Sequence, residues 1–437
     1  MNPRSSLREL QLPLSEQLVA IRRDLHRHPE PGWCEFRTAG KVIDILKGLG
    51  WDVKFGRDVV QGDARMGVPP SEEMEKFYQK ALELGADPDT LKDLRGGFTG
   101  VVAQLRGTGP GPNIALRFDM DANLGAEAGT PDHLPVTRGF VSGNTGVHHN
   151  CGHDGHTAIG LGVARVLAEA KDRIRGDIRL LFQPAEEGLR GAAAMIAAGV
   201  LDDVEFFMGG HVGVQASKLG EIISGYRNIL ASVKIDASFR GKSAHAAISP
   251  QVGRNALLAA CVATQNLLAL PRHGEGETRV NVGSLSGGEA RNAIPAHAIL
   301  SAELRGDTTA ILDELERRAE DVLRGAALMH GVEVETTRCG ASCAASSDPD
   351  AAGLIAESAR HVQGVTEIRD IHDFKASDDV AAMMAVVQAR GGKAVYFGLG
   401  TELKAVHHNP YFDFDERVLP IGVGLFVEAM KRVGAVA

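Results

Sequence analysis

What the 437-residue sequence has little of narrows its class before any motif is read. Its five cysteines (Cys34, Cys151, Cys261, Cys339, Cys343) are odd in number and dispersed, which excludes a disulfide framework and favours a reducing, cytoplasmic setting. Basic residues are in deficit, 47 against 56 acidic, and no block of five Lys/Arg occurs. At a formal charge of −9, neither nucleic acid nor an anionic membrane is expected as the main partner. No apolar run approaches the length of a transmembrane helix. The opening segment, MNPRSSLRELQLPLSEQ, lacks the apolar stretch of a secretory signal. Aromatics make up only 5%, whereas Gly and Ala abound, a composition suited to a tightly turned α/β enzyme. With 44% hydrophobic and 24% charged residues the chain is able to bury a sizeable core. Its length fits two or three domains at roughly 100–200 residues each.

The periodicity then sketches the organisation. Leu14, Leu18, Ile21 and Leu25 lie at helical spacing in 14–28, ended by Pro29 and Pro31, and a second helix is expected over 37–49. Residues 61–95 are polar, charged and Pro-punctuated, and read as a helical surface insertion. Short apolar runs follow as buried strands: FTGVVAQL, NIALRFDMDA, DIRLLFQPA and VEFFMGGHV, with the helix HTAIGLGVARVLAEAK between the second and third. Strands alternating with helices point to a parallel or mixed sheet covered on both faces, with its ligand crevice at the C-terminal strand ends. Near 228 the pattern changes. ASVKIDASFR, TRVNVGSL, AHAILSAELRG and 332–338 alternate with period two, and helices lie at about 253–270 and in TAILDELERRAEDVLRGAALMH. This βαββαβ order predicts a small ferredoxin-like α+β domain inserted in the larger one. The expected division is 1–227 and 343–437 for the larger domain and 228–342 for the insert.

The densest chemistry lies in His148-His149-Asn150-Cys151-Gly152-His153-Asp154-Gly155-His156. Cys and His two apart around a Gly are able to turn toward one metal ion in a tight loop entering a helix, and thiolate and imidazole are preferred ligands of zinc and its neighbours. The bland alternative is a polar loop with capping residues. Glu186 and Glu187, delivered to a strand end by LLFQPA, could divide labour, one binding metal and the other taking a proton from water. His211 follows an apolar run, where a lone His is more often structural than a ligand. His407 and His408 are adjacent, so in an extended chain one of them faces a metal. Asp119 and Asp121 end a strand, with a plain strand-end turn as the alternative.

The ordered segments RRDLHRHPEPGWCEFRTA, RFDMDA, CGHDGHTAIGLG, LLFQPAEEGLRGAAAMIAAGV, GKSAHAA, RNAIPAHAILSAELRG and HHNPYFDFDE resemble the amidohydrolase branch of the aminoacylase/carboxypeptidase-type metallopeptidases over nearly the whole chain. Within the branch, the 61–95 insertion, EGETRVNVGSL and ARNAIP look most like the aminobenzoyl-glutamate hydrolase group, which has arylamine aminohydrolases as near relatives. The resemblance implies a mixed-sheet catalytic domain with an inserted lid that also dimerises. It implies Cys151, His153, Glu187, His211 and His408 as ligands of one or two divalent ions, manganese or zinc, with cobalt or nickel as options. It further implies Glu186 as general base toward a metal-activated water and Asp121 as an orienting carboxylate. His245 becomes the lid residue that stabilises an oxyanion, Asn292 a helper and Arg305 a contact for a substrate carboxylate.

Two departures from the branch concern the pocket wall. Asn123-Leu124-Gly125 replaces an apolar pair after DMDA, and Ser377-Asp378-Asp379 replaces Ser-Glu-Asp. The implied activity is hydrolysis of a C–N bond in a small carboxylated, aromatic amide. The alternatives are hydrolytic deamination of a nitro-substituted aminobenzoate, or a non-catalytic metal-binding subunit. A homodimer or larger homo-oligomer completes the expectation, with a second kind of subunit optional.

Overall fold

A computed structural model describes residues 13–437. The opening residues 1–12, which carry most of the segment read for a signal, lie outside the described residues. The chain divides into two compact units: one comprises residues up to 227 with 346–374 and 379–437, the other 228–345 with 375–378.

In the first unit, helices α1 (Leu14–Arg27) and α2 (Phe36–Gly48) precede strand β1 (Asp52–Phe55). Residues 61–95 carry α3 (Ser71–Glu83) and α4 (Pro88–Leu94), which bury Met74, Tyr78, Ala81, Leu91 and Leu94 in the main core and present charge elsewhere. Strands β2 (Val101–Arg106) and β3 (Asn113–Asp119) lead to α5 (His153–Glu169), β4 (Asp177–Gln183), α6 (Ala192–Ala197), β5 (Phe206–Val212) and β6 (Glu221–Ile223).

The second unit contributes β7 (Ala231–Arg240), α7 (Ala256–Leu268), β8 (Thr278–Gly287), β9 (His297–Gly306), α8 (Thr309–His330) and β10 (Glu333–Ser342). The chain then returns to the first unit with α9 (Pro349–Ala359), β11 (Glu367–Arg369), α10 (Val380–Ala389), β12 (Lys393–Leu399) and α11 (Val418–Val433).

The eight-stranded sheet runs β1-β2-β4-β3-β5-β12-β6-β11. Its centre is parallel, β4–β3–β5–β12, while β1 pairs antiparallel with β2, β2 with β4 and β6 with β12, and β11 closes the edge parallel to β6. This is the expected mixed sheet. β4, β3, β5 and β12 are buried over nearly their whole lengths, because helices cover both faces. The sheet and the helices α1, α2, α5 and α11 share one apolar core. Since β3, β4 and β5 are parallel, their C-terminal ends, Asp119, Gln183 and Val212, lie along one edge, and the candidate chemistry follows those ends.

The second unit has the βαββαβ order expected of a ferredoxin-like insert, with an antiparallel sheet β8-β9-β7-β10. One face of β7 and β9 packs under α7 and α8 in a core rich in alanine.

Candidate metal centre

The Cys151–His153 turn owes its shape to Gly152. At φ +90 it sits in the left-handed region at the start of α5, so that the residues on either side converge. Cys151 Sγ lies 3.6 Å from His211 Nε2. Ligating atoms of Cys151, His153 and His211 all fall within 4.8 Å of one another, as do those of His153, Glu186 and Glu187, and those of Cys151, Glu187 and His408. The structure thus brings together, from four segments, every residue that the sequence singled out as a ligand, with Glu186 beside them. His408 Nε2 is 3.5 Å from Glu187 Oε1, whereas the neighbouring His407 turns its Nε2 to the Val212 carbonyl at 3.0 Å.

The donor set suits a cation. His153 Nδ1 faces the Asp121 carbonyl at 2.8 Å, and its buried Nε2 has no hydrogen-bond partner, with Asp119 and Glu186 carboxylate oxygens each 3.8 Å away. Despite its burial, Asp119 and Asp121 raise this imidazole well above its usual range, so Nε2 is a place for a positive charge, a proton or a metal ion in its stead. Burial, and after it Glu187, push the Cys151 thiol well above its usual range, so a thiolate there requires a neighbouring positive ion. Burial and the nearby His156 keep His211 well below the usual imidazole range, hence neutral and able to coordinate. Glu187 is lowered despite its burial by the hydrogen bond from His408. A divalent ion would compensate the clustered carboxylates and take the place of the proton on His153 Nε2.

The turn presenting Glu186 and Glu187 is built from backbone N–H groups given to three buried carboxyl groups. Asp121 accepts from Glu186 N at 3.0 Å and Glu187 N at 2.9 Å. Glu35 accepts from Ala185 N at 2.7 Å. Asp379 accepts from Gly191 N at 3.2 Å and Ala192 N at 2.9 Å. The resemblance implies that Asp121 orients a ligating histidine. Its carbonyl meets His153 Nδ1 at 2.8 Å and its Oδ1 lies 3.3 Å from the same nitrogen, while the carboxylate also holds the turn. Ala185 and Leu189 adopt left-handed φ values of +51 and +63, a conformation that costs a non-glycine residue about 1–2 kcal/mol.

Behind the turn, buried Arg117 joins Gln183, Asp119 and Asp379. Asp119 in turn accepts from His156 Nδ1 at 2.6 Å, and His156 Nε2 accepts from Val212 N at 2.9 Å. Asn123, one of the departures noted in the sequence, donates to Glu187 and to Asn150 Oδ1. Arg117, His156, Asn123, Glu35 and Asp379 are thus site residues that the motifs do not assign. The sequence does mark three of them, His156 by its place in the densest segment and Asn123 and Asp379 by the two departures, but gives Arg117 and Glu35 no mark of their own.

Outside the cluster, His148 points Nδ1 at the Gly125 carbonyl, 3.1 Å away, and His149 is buried, its charge suppressed by burial to about 3. His245 and Asn292 belong to the second unit, where they lie on paired segments: Ala246 N donates to the Asn292 carbonyl at 2.9 Å. Arg305 also belongs to the second unit. Its Nε and NH2 fork on Glu303 at 2.9 and 3.0 Å, because the two alternate residues share a face of β9.

The model of Peptidase family M20/M25/M40 matches residues 115–432. The chain is 46% identical over 411 residues to the indole-3-acetyl-aspartic acid hydrolase of Enterobacter agglomerans, covering 94% of each chain. It is 44% identical over 419 residues to one of the subunits of the p-aminobenzoyl-glutamate hydrolase of Escherichia coli, covering 96% of each. Among solved structures, the aminobenzoyl-glutamate utilization protein of Klebsiella pneumoniae superposes with a TM-score of 0.82 at 39% identity, covering 99% of this chain and 98% of that one.

Proposed function

The chain belongs to peptidase family M20/M25/M40 and is a hydrolase, and we propose that it cleaves the amide between a small aromatic acyl group and an acidic amino acid. The relatives at 46% and 44% identity are named for such amides, of aspartate and of glutamate. The observation that carries the site assignment is the unpartnered, buried His153 Nε2 facing Cys151, His211, Glu186 and Glu187.

Cys151, His153, Glu187, His211 and His408 would hold one or two divalent ions, manganese or zinc. Bound there, the metal supplies Lewis acidity for the carbonyl and for water. Glu186, with its backbone fixed by Asp121, takes a proton from the attacking water and returns it to the leaving nitrogen, so that acid and amine separate. His245 accepts at Nδ1 from Ala247 N and Ile248 N, which leaves Nε2 as the donor the second unit offers to an oxyanion, with Asn292 as a helper.

We place the protein in a reducing compartment, since all five cysteines are free, and assign it at least a homodimeric state. The Escherichia coli relative is named as one subunit of its hydrolase, which keeps a second chain among the candidate partners. Among the described residues no helix is long and apolar enough to cross a membrane. Hydrolytic deamination of an arylamine is not favoured, because both relatives are named for amides.

Product identification by mass spectrometry tests the reading. Manganese- or zinc-reconstituted protein is offered p-aminobenzoyl-glutamate, indole-3-acetyl-aspartate and a nitro-substituted aminobenzoate. Release of the free acidic amino acid supports it; ammonia with a hydroxylated ring overturns it.

A further inference from the structure

The segment Gly32-Trp33-Cys34-Glu35 lies against the turn that carries Glu186 and Glu187. A Cβ on Gly32 would sit 2.9 Å from Ala185 Cα and 2.3 Å from Arg190 NH2, so only glycine permits this approach. Trp33 itself holds φ +69, and its indole Nε1 donates to the Met66 carbonyl at 2.8 Å.

Glu35 occupies the position before α2, yet its carboxylate does not cap that helix. Glu30 does so instead, accepting from Arg37 N at 2.9 Å and Thr38 N at 2.8 Å. Glu35 is fully buried and divides its two oxygens between Thr99 Oγ1, at 2.5 Å, and Ala185 N. A buried carboxyl group that the helix does not need is thus committed to the one residue of the turn that directly precedes Glu186 and stands in the left-handed region.

We propose that Glu35 is a positioning residue for the reaction, which pins Ala185 in its left-handed conformation and thereby fixes where the Glu186 carboxylate stands. Asp379 clamps the other end of the same turn through Gly191 and Ala192, and Asp121 its middle. Glu35 reaches the turn through Ala185 N, so it acts through the backbone. The inference rests on the reading of Glu186 as the general base.

The test uses the full-length, manganese-reconstituted protein with p-aminobenzoyl-glutamate as substrate. Glu35→Ala is expected to lower kcat about 10–100-fold, as displacement of a catalytic group does, with KM within about twofold. Metal content, read by elemental analysis, stays at the wild-type value. Glu35→Gln keeps an oxygen for Ala185 N and recovers most of the rate. Ala185→Gly placed on Glu35→Ala also recovers it, because glycine takes the left-handed conformation without strain. An unchanged kcat in Glu35→Ala overturns the proposal. So does a loss that neither second substitution restores, or one that tracks loss of metal or of thermal stability. Glu186→Gln separates the two levels: if wild type turns over and Glu186→Gln does too, the general-base reading fails, whereas an inactive Glu186→Gln beside a fully active Glu35→Ala sinks only the role of Glu35.

Discussion

The two units of this chain solve the problem of an interior in opposite ways. In the second unit the buried positions are overwhelmingly apolar, with Ala256, Ala259, Ala260, Ala263, Ala319, Ala326 and Ala327 letting helices approach the sheet. Most of its charges lie toward solvent, as in the Lys234–Glu303–Arg305 cluster, and its buried Glu316 pairs with the exposed Arg338. The first unit buries charge on a large scale. Arg22 is fully enclosed between Asp154 and Asp413 and stacks on Phe414, and Arg117 is enclosed among Asp119, Asp379 and Gln183.

Burying such groups is costly and is rarely the most stable solution. It is useful where a side chain must hold one orientation, and in the first unit each buried network ends on a segment of the proposed metal centre. Asp154 follows His153 directly. Asp119 orients His156 within the same helix, and Asp379 holds the turn of Glu186. The comparison teaches that polarity inside this protein marks where geometry matters, and that the second unit carries its one proposed functional histidine on an exposed loop instead.

The largest expected effect comes from breaking a buried network. Arg117→Leu leaves Asp119 and Asp379 buried without their cation, and should destabilise the first unit by about 3–5 kcal/mol, the usual cost of an orphaned buried charge. Urea unfolding of the metal-free chain reads this out. A loss under about 1 kcal/mol would mean that the two carboxylates are already satisfied by their backbone and histidine donors, and the contrast between the units would lose its energetic meaning.

This network also shows where sequence reading stops. Helix α8 is legible residue by residue, because its apolar stripe keeps a 3.6 period and Thr308 caps it through Ile311 N. The alternating strands of the second unit are legible for the same local reason. So are Cys151, His153, Glu186 and Glu187, whose chemistry is dense over a few positions. Arg117 pairs with Asp379 across 262 positions, and Glu35 reaches Ala185 across 150. No local period encodes such a pairing; it exists only once parallel strands bring the segments to one edge. Strand β3 stops at Asp119, although the alternation FDMDA suggests a longer strand: Met120 N makes the last ladder bond, to the Gln183 carbonyl at 3.0 Å, and Ala122 N then donates to the Glu30 carbonyl at 2.8 Å, outside the sheet. Helices α9 and α10 and strand β12 have no motif to mark them individually and are visible in the sequence only as a return of α/β character.

A middle-sized effect follows from acid. Burial opposes ionisation of Glu127, but hydrogen bonds from His26, Ser142 N and His133 hold its carboxyl at about 2. A depressed folded value means that the group stabilises the fold fully above the unfolded value of about 4.5 and loses that contribution as pH falls from there toward 2. The difference in unfolding free energy between wild type and Glu127→Gln, measured with a chelator present, should be roughly 1–3 kcal/mol at pH 6 and shrink steadily below about pH 4.5. A difference that stays constant down to about pH 3 would show that Glu127 is not the ionised partner of His26, and would remove one of the networks on which the contrast stands.

The smallest effect is expected where the second unit keeps its charge at the surface. The family resemblance makes Arg305 a contact for the substrate carboxylate, yet its guanidinium forks on Glu303, which also meets Lys234 at 2.9 Å. Such partly exposed pairs contribute about 0–1 kcal/mol, since solvent screens them and side-chain entropy opposes them. Arg305→Ala should therefore change unfolding free energy by less than about 1 kcal/mol and leave KM within about twofold. Releasing Arg305 from Glu303 to greet a substrate would cost that pairing in exchange for another carboxylate of similar exposure, with little to gain in affinity. A KM raised about tenfold or more at unchanged kcat would show that the exchange happens nonetheless, and would move part of substrate recognition from the charged interior of the first unit to the surface of the second.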